Sequence, residues 1–115
     1  MKTDLMIIGS GPGGYETAAY AAAQGLQVVV AEEHLAGGTC LNSGCIPTKA
    51  LVHDAAKAVG CDNGAALFAA AMQRKNSVVE GLRQGVEMLL AQPGITLLRG
   101  HARFVDAHTV AVGDE

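Results

Sequence analysis

The stretch GGTCLNSGCIPTK, Gly37 to Lys49, holds Cys40 and Cys45 in a chain that uses cysteine only three times. A close pair of this kind can ligate a metal, staple the backbone, or work as a redox couple in thiol–disulfide exchange. In a regular helix, residues five apart have Cα atoms roughly 8.7 Å apart, beyond the ~7 Å that a disulfide tolerates. The two cysteines can therefore meet only if the backbone between them leaves regular helix. Gly44 permits that break, and Pro47 is tolerated in a first helical turn. A helix is predicted from near Ile46 through TKALVHDAAKAVG. Cys45 then lies at its N-terminus, where the dipole favours a thiolate, and Lys49, one turn on, adds positive charge on the same face.

The other uses are weaker. Zinc needs further ligands, and Cys61, His53 and His34 stand at none of the usual spacings. A staple closing so short a loop removes little unfolded-state entropy. The residues alone leave all three uses open; Cys61, in AVGCDNGAA, reads as an incidental loop thiol.

Elements that could position this pair lie just upstream. DLMIIG is a short apolar run suited to a strand buried on both faces. GYETAAYAAAQG, Gly14 to Gly25, is alanine-rich and predicts a helix stopped by Gly25. LQVVVAEE returns as a β-branched strand. Strand, helix and strand at this spacing predict a βαβ unit, with parallel strands and a right-handed crossover. Between the first strand and the helix, GSGPGG sets Gly9, Gly11 and Gly14 in a G-x-G-x-x-G pattern. Gly9 would allow the tight turn, Gly11 the approach of a pyrophosphate, and Gly14 close packing of helix on strand. Helix N–H groups would face the phosphates. Glu32 ends the second strand eighteen residues after Gly14, near the spacing at which a carboxylate accepts hydrogen bonds from an adenosine ribose. A glycine-rich packing turn that binds nothing is the plain alternative, and the motif does not separate NAD from FAD.

Composition narrows the field. At 115 residues, one domain or part of one is the ceiling. A net charge of -3 without a basic run gives no footprint for nucleic acid or an anionic membrane. Charged and polar residues interrupt every apolar stretch and no cleavage site follows MKTDLMIIG, so neither a membrane span nor a signal peptide is expected. A cytoplasmic location is the expectation.

GGTCLNSGCIPTKAL resembles the redox-active segment of the flavoprotein disulfide reductases, and GSGPGG with Glu32 stands at their spacing. The resemblance implies a Rossmann-like α/β FAD-binding domain with a C-terminal β-hairpin, of which residues 1–115 are the N-terminal segment. FAD is the implied dinucleotide, with Gly9, Gly11, Gly14, Glu32, Gly38, Thr39 and Ala102 on it. Cys45 would lie against the flavin as thiolate, Cys40 would exchange with substrate, and Lys49 would approach the flavin near N5. No metal is implied. Leu41, Ile46, Ala50 and Leu51 are most similar to the branch acting on dihydrolipoamide. Thr48 with LVHDA also resembles bacterial relatives that reduce hypothiocyanous acid or respond to reactive chlorine.

The rest of the chain fits that pattern. QRKNSVVEGLRQGVEMLLAQPG carries Val78, Leu82, Val86 and Leu90 at four-residue steps, which predicts a core-facing helical stripe. ITLLRGHARFVDAHTVAV alternates as strands joined by short turns, and VAVGDE reads as a plain turn after them. A second dinucleotide motif for NAD(P)H and a C-terminal His-Glu acid–base pair do not occur, and His34, His53, His101 and His108 read as solvated or capping. The implied parent is longer, a homodimer that uses NAD(P)H and a small-molecule or lipoyl-domain dithiol; residues 1–115 alone are expected to be inactive.

Overall fold

The computed structural model describes residues 1–114; Glu115, the last residue of the VAVGDE turn, lies outside them. The first strand, β1 (Leu5–Ile8), runs into helix α1 (Pro12–Ala23) and then β2 (Val28–Glu32). Two short-range helices follow, α2 (Gly38–Ser43) and α3 (Cys45–Ala58), and then the long α4 (Gly64–Leu90). The chain closes with β3 (Ile95–Arg99), β4 (Ala102–Asp106) and β5 (Thr109–Val112).

β1, β2 and β3 form a parallel sheet with β2 in the middle, Val28 facing Leu5 on one side and Ile95 on the other. The central position explains why every residue of VVVAE is buried. Successive side chains alternate across the sheet. Val28 and Val30 meet Ala18 and Ala21 of α1 and Val79, Val86 and Leu90 of α4 in the core. The alanines let α1 lie close to the sheet. Full burial of a side chain such as Leu90, Val28 or Val30 contributes about 1.5–3 kcal/mol each. On the opposite face, Met6, Val29 and Leu98 look toward Val110 and Val112 of the antiparallel hairpin β4–β5 across a cleft.

Two boundaries differ from expectation. α1 begins at Pro12, with proline in its first turn, and Gly25 follows it at φ 89, the left-handed stop. α4 begins at Gly64, nine residues before the sequence QRKNSVVEG, so the alanine-rich segment after Asn63 is helix. Its buried stripe is Val79, Val86 and Leu90, while Leu82 is 45% exposed. A step of four residues turns a helix by about 40° beyond a full turn. Four-residue steps back from Leu90 therefore drift off the core face, and Val79 takes the place expected of Val78.

Candidate functional site

The loop from β1 to α1 turns at Gly9, whose φ of 94 is left-handed and suits glycine. A Cβ at Gly14 would overlap the Gly9 carbonyl oxygen, so helix and turn are packed to the limit glycine allows. Gly11 is the N-cap, and the Gly14 and Tyr15 N–H groups donate to its carbonyl at 2.9 Å each. The turn is tied to the next loop: Gly37 N donates to the Ser10 carbonyl at 3.0 Å. Gly38, at φ 68, comes so close to Gly11 that a Cβ on it would lie 2.6 Å from the Gly11 Cα. At this crossing Gly38 has no room for a side chain, whereas a Cβ on Gly11 would stand 3.8 Å from the Gly38 Cα.

Glu32 closes the same site from β2. Its Oε2 accepts from the Ser10 backbone N at 2.9 Å and the Ser10 hydroxyl at 2.7 Å, and its Oε1 from His34 N at 2.9 Å. Both side chains are buried. Burial alone would raise the carboxyl's pKa; the hydrogen bonds from Ser10 and His34, with the charge of Arg99, hold it below its ordinary value. A carboxylate offers about four acceptor sites. Three are filled, and the fourth is on Oε1.

Glu32 separates two clefts. One of about 250 Å³ is lined by Glu32, Gly38, Thr39 and Asn42, the other, about 180 Å³, by Gly9, Glu32, His34, His101 and Ala102. Gly9, Glu32, Gly38, Thr39 and Ala102, spread over most of the chain, are thus brought to one face. His34 and His101 are exposed, as expected, and approach the Glu33 carboxylate at 3.4 and 2.7 Å beside the second cleft.

The cysteines stand on either side of the break expected at Gly44. α2 ends at Ser43, Gly44 departs from helix at φ -125 and ψ -110, and α3 starts at Cys45, one residue before the predicted onset. A Cβ at Gly44 would stand 3.0 Å from the Thr39 oxygen and 3.3 Å from the Cys40 Cα, so the absence of a side chain lets the two helix ends close on each other. Both cysteines are free thiols, Cys40 half-buried and Cys45 exposed. The side-chain hydrogen bond with Cys45 pushes the Cys40 thiol above its ordinary value, aided by desolvation; the Cys45 backbone N–H and the Lys49 charge pull it down. Lys49 and Thr48 lie on the exposed side of α3 beyond the pair. Cys61 sits alone on the exposed turn into α4. Among the described residues no group of three His, Cys, Asp or Glu is placed to hold a metal ion.

Sequence reasoning missed Ser10, Asn42 and Arg83. Asn42 Nδ2 donates to the Ala36 and Gly38 carbonyls, both at 2.9 Å, and its Oδ1 accepts from Arg83 Nε at 2.8 Å. Asn42, lying between the two cysteines, could have been singled out from the sequence; Arg83, 41 residues away, carried no local signal.

The parallel βαβ sheet, the glycine turn against its helix and the terminal acid of β2 define a Rossmann-like α/β domain, here with a dithiol beside the turn. The chain belongs to the pyridine nucleotide-disulphide oxidoreductase family, whose profile matches residues 3–115. It is 44% identical to dihydrolipoyl dehydrogenase 2 of Haloarcula marismortui over 96% of its length, and 39% identical to the dihydrolipoyl dehydrogenase of Geobacillus stearothermophilus over 97%. The chain spans 25% and 26% of those relatives. Among solved structures it matches a Cu(II) complex of the HOCl-induced flavoprotein disulfide reductase RclA from Escherichia coli. The TM-score is 0.87 at 40% identity, covering 97% of this chain and 24% of that one. No helix among the described residues is long and apolar enough to cross a membrane.

Proposed function

We propose that these residues form the FAD-binding and dithiol-bearing part of a longer flavoprotein oxidoreductase, most similar to dihydrolipoamide dehydrogenase. The observation that carries the reading is the meeting of Cys40 and Cys45 across Gly44, beside a glycine turn with a buried carboxylate at its edge.

The residues fit FAD on steric and chemical grounds. Glycine backbones at 11 and 38 leave the surface where a pyrophosphate would approach, and the first turn of α1 presents N–H groups there. The remaining acceptor site of Glu32 is offered to a ribose hydroxyl, and Thr39 and Ala102 line the flanking clefts. Lys49 would stand near the flavin. FAD, when bound, supplies a two-electron acceptor that reoxidises the dithiol and delivers a hydride to NAD+.

The chain's own part is exchange. A substrate thiolate attacks Cys40 Sγ of the oxidised pair, forming a mixed disulfide and expelling Cys45 as thiolate. The second substrate thiol, losing its proton, then attacks its partner sulfur and releases Cys40, so the substrate leaves as a disulfide and the pair holds two more electrons. Cys40 is assigned to exchange because Cys45, at the start of α3 with Lys49 one turn on, is the sulfur that would face the cofactor. Exposure does not make this assignment, since Cys45 is the more exposed; its open face is the one that cofactor would cover.

The partner is a small-molecule or lipoyl-domain dithiol, with no nucleic acid or membrane, and the whole protein is a cytoplasmic homodimer using NAD(P)H. A second reading, a reductase acting in oxidant stress, is supported by the likeness to the HOCl-induced reductase of Escherichia coli. Purified whole protein should show flavin absorbance and reduce NAD+ with dihydrolipoamide. Failure with dihydrolipoamide together with NADPH-driven reduction of hypothiocyanous acid would transfer the assignment to the second reading.

A further inference from the structure

We infer that Arg83, acting through Asn42, is a positioning residue that holds Cys40 in register with Cys45; the inference rests on reading the pair as the redox centre. α2 is only six residues long and has no side-chain cap. A helix so short does not hold itself together. The segment feeding it passes through Gly37 and Gly38, with φ of 101 and 68, glycines with no side chains of their own to anchor them. Cys40 is thus mounted on an element that needs outside fixation.

Asn42 supplies it from within α2, and Arg83 from outside. Both amide hydrogens of Asn42 are spent on carbonyls of the entering chain, Ala36 and Gly38, and its oxygen takes the Arg83 Nε at 2.8 Å. All of the amide's orientation is fixed by this set. The Arg83 side chain is 20% exposed, with Glu80 one turn back at 3.5 Å. It projects from α4, which Val79, Val86 and Leu90 hold in the core at three separate points, so that trimming one of them leaves the helix seated. The fastening runs from the core of the domain through Arg83 and Asn42 to the backbone on which Cys40 rides. Without it α2 frays, Cys40 spends less time against Cys45, and the disulfide loses stability relative to the dithiol.

The test measures that balance in the whole protein carrying these residues. The two thiols and oxidised dithiothreitol exchange with the Cys40–Cys45 disulfide and reduced dithiothreitol, and alkylation followed by mass spectrometry gives the equilibrium constant. Arg83→Met and Asn42→Asp should each lower the constant for disulfide formation about tenfold, close to 30 mV for a two-electron couple. Asp at 42 keeps a partner for Arg83 but sets a carboxylate against two carbonyls. Alkylation of Cys40 should become faster at a given pH in both. Arg83→Lys, which retains a donor, should stay within about threefold of the unaltered protein. Val86→Ala, a core truncation on the same helix, should lower thermal stability and leave the constant unchanged.

An unchanged constant in Asn42→Asp and Arg83→Met, or an equal fall in Val86→Ala, overturns the inference. If Arg83→Met does not fold, Asn42→Asp decides. If the unaltered pair forms no disulfide at any buffer ratio, the redox reading falls, and this inference falls with it.

Discussion

The Ser10 hydroxyl donates to Glu32 Oε2 at 2.7 Å, and the Ser10 backbone N–H donates to the same oxygen at 2.9 Å. One carboxylate oxygen is thereby consumed in tying the glycine turn to the end of β2. The other accepts from His34 and retains capacity for one more donor. Glu32 therefore has two tasks, one in the fold and one toward a ribose, and the two can be separated.

Glu32→Gln is the separating substitution. An amide has one acceptor oxygen, and its NH2 must face either the Ser10 or the His34 donors. With the oxygen toward Ser10, where it keeps two donors, the NH2 opposes the His34 N–H, which costs about 1–3 kcal/mol, and the acceptor for ribose is lost. Apoprotein of the whole enzyme should bind FAD at least tenfold more weakly, with a lower Tm, by titration and calorimetry. Ser10→Ala should lower Tm while leaving FAD affinity within threefold, because it frees an acceptor site without removing any. Equal FAD affinity in Glu32→Gln would remove Glu32 from the ribose site.

The same carboxyl makes stability depend on acid. Its pKa in the folded chain lies below the ordinary value of 4.5. A depressed carboxyl contributes stability that is fully present above the unfolded value and is lost as pH falls through the folded one. Unfolding free energy should therefore drop below about pH 4.5 and hold level through neutrality as far as Glu32 is concerned. In Glu32→Gln that part of the acid slope should vanish; an unaltered slope in a urea titration series would assign it to Asp54 and Asp106, whose pKa values are also lowered.

The glycines offer a paired test of packing. An added Cβ at Gly14 would overlap the Gly9 carbonyl oxygen, whereas at Gly13 it meets nothing within 4 Å. Gly14→Ala should destabilise by about 1–3 kcal/mol as the helix is pushed from the turn. Gly13→Ala, within α1, should stabilise by a few tenths to about 1 kcal/mol. Denaturant midpoints for the two should move in opposite directions.

The glycine turn, the acid of β2 and the break at Gly44 were legible because each is a local requirement: a left-handed φ, a strand end, a residue that lets two helix ends close. The α/β class and the terminal hairpin followed from periodicity. The stripe of α4 was read one residue out, since Val78 and Val79 are both apolar and only packing against Val30 and Ala18 chooses between them. Ser10, Asn42 and Arg83 were missed for a different reason. The partners of Ser10 and Arg83 lie 22 and 41 residues away, and nothing in a polar side chain announces a distant partner; Asn42, with an acceptor six residues away, stood inside the cysteine segment and was readable there.

The two cysteines should prove unequal, which neither a staple nor a metal site would require. Cys40 is the thiol held above its ordinary value, by its hydrogen bond with Cys45 first and then by desolvation. In the whole enzyme with FAD bound, Cys40→Ser should leave Cys45 facing oxidised flavin and give a long-wavelength absorbance band. Cys45→Ser should lack the band. In that variant Cys40 has lost the partner that raised it, so it should alkylate at lower pH than it does in the reduced unaltered protein. Both variants should lose dihydrolipoamide turnover, because exchange needs a disulfide to attack. A band in Cys45→Ser and none in Cys40→Ser would reverse the roles, and turnover retained in both would remove the pair from the redox path.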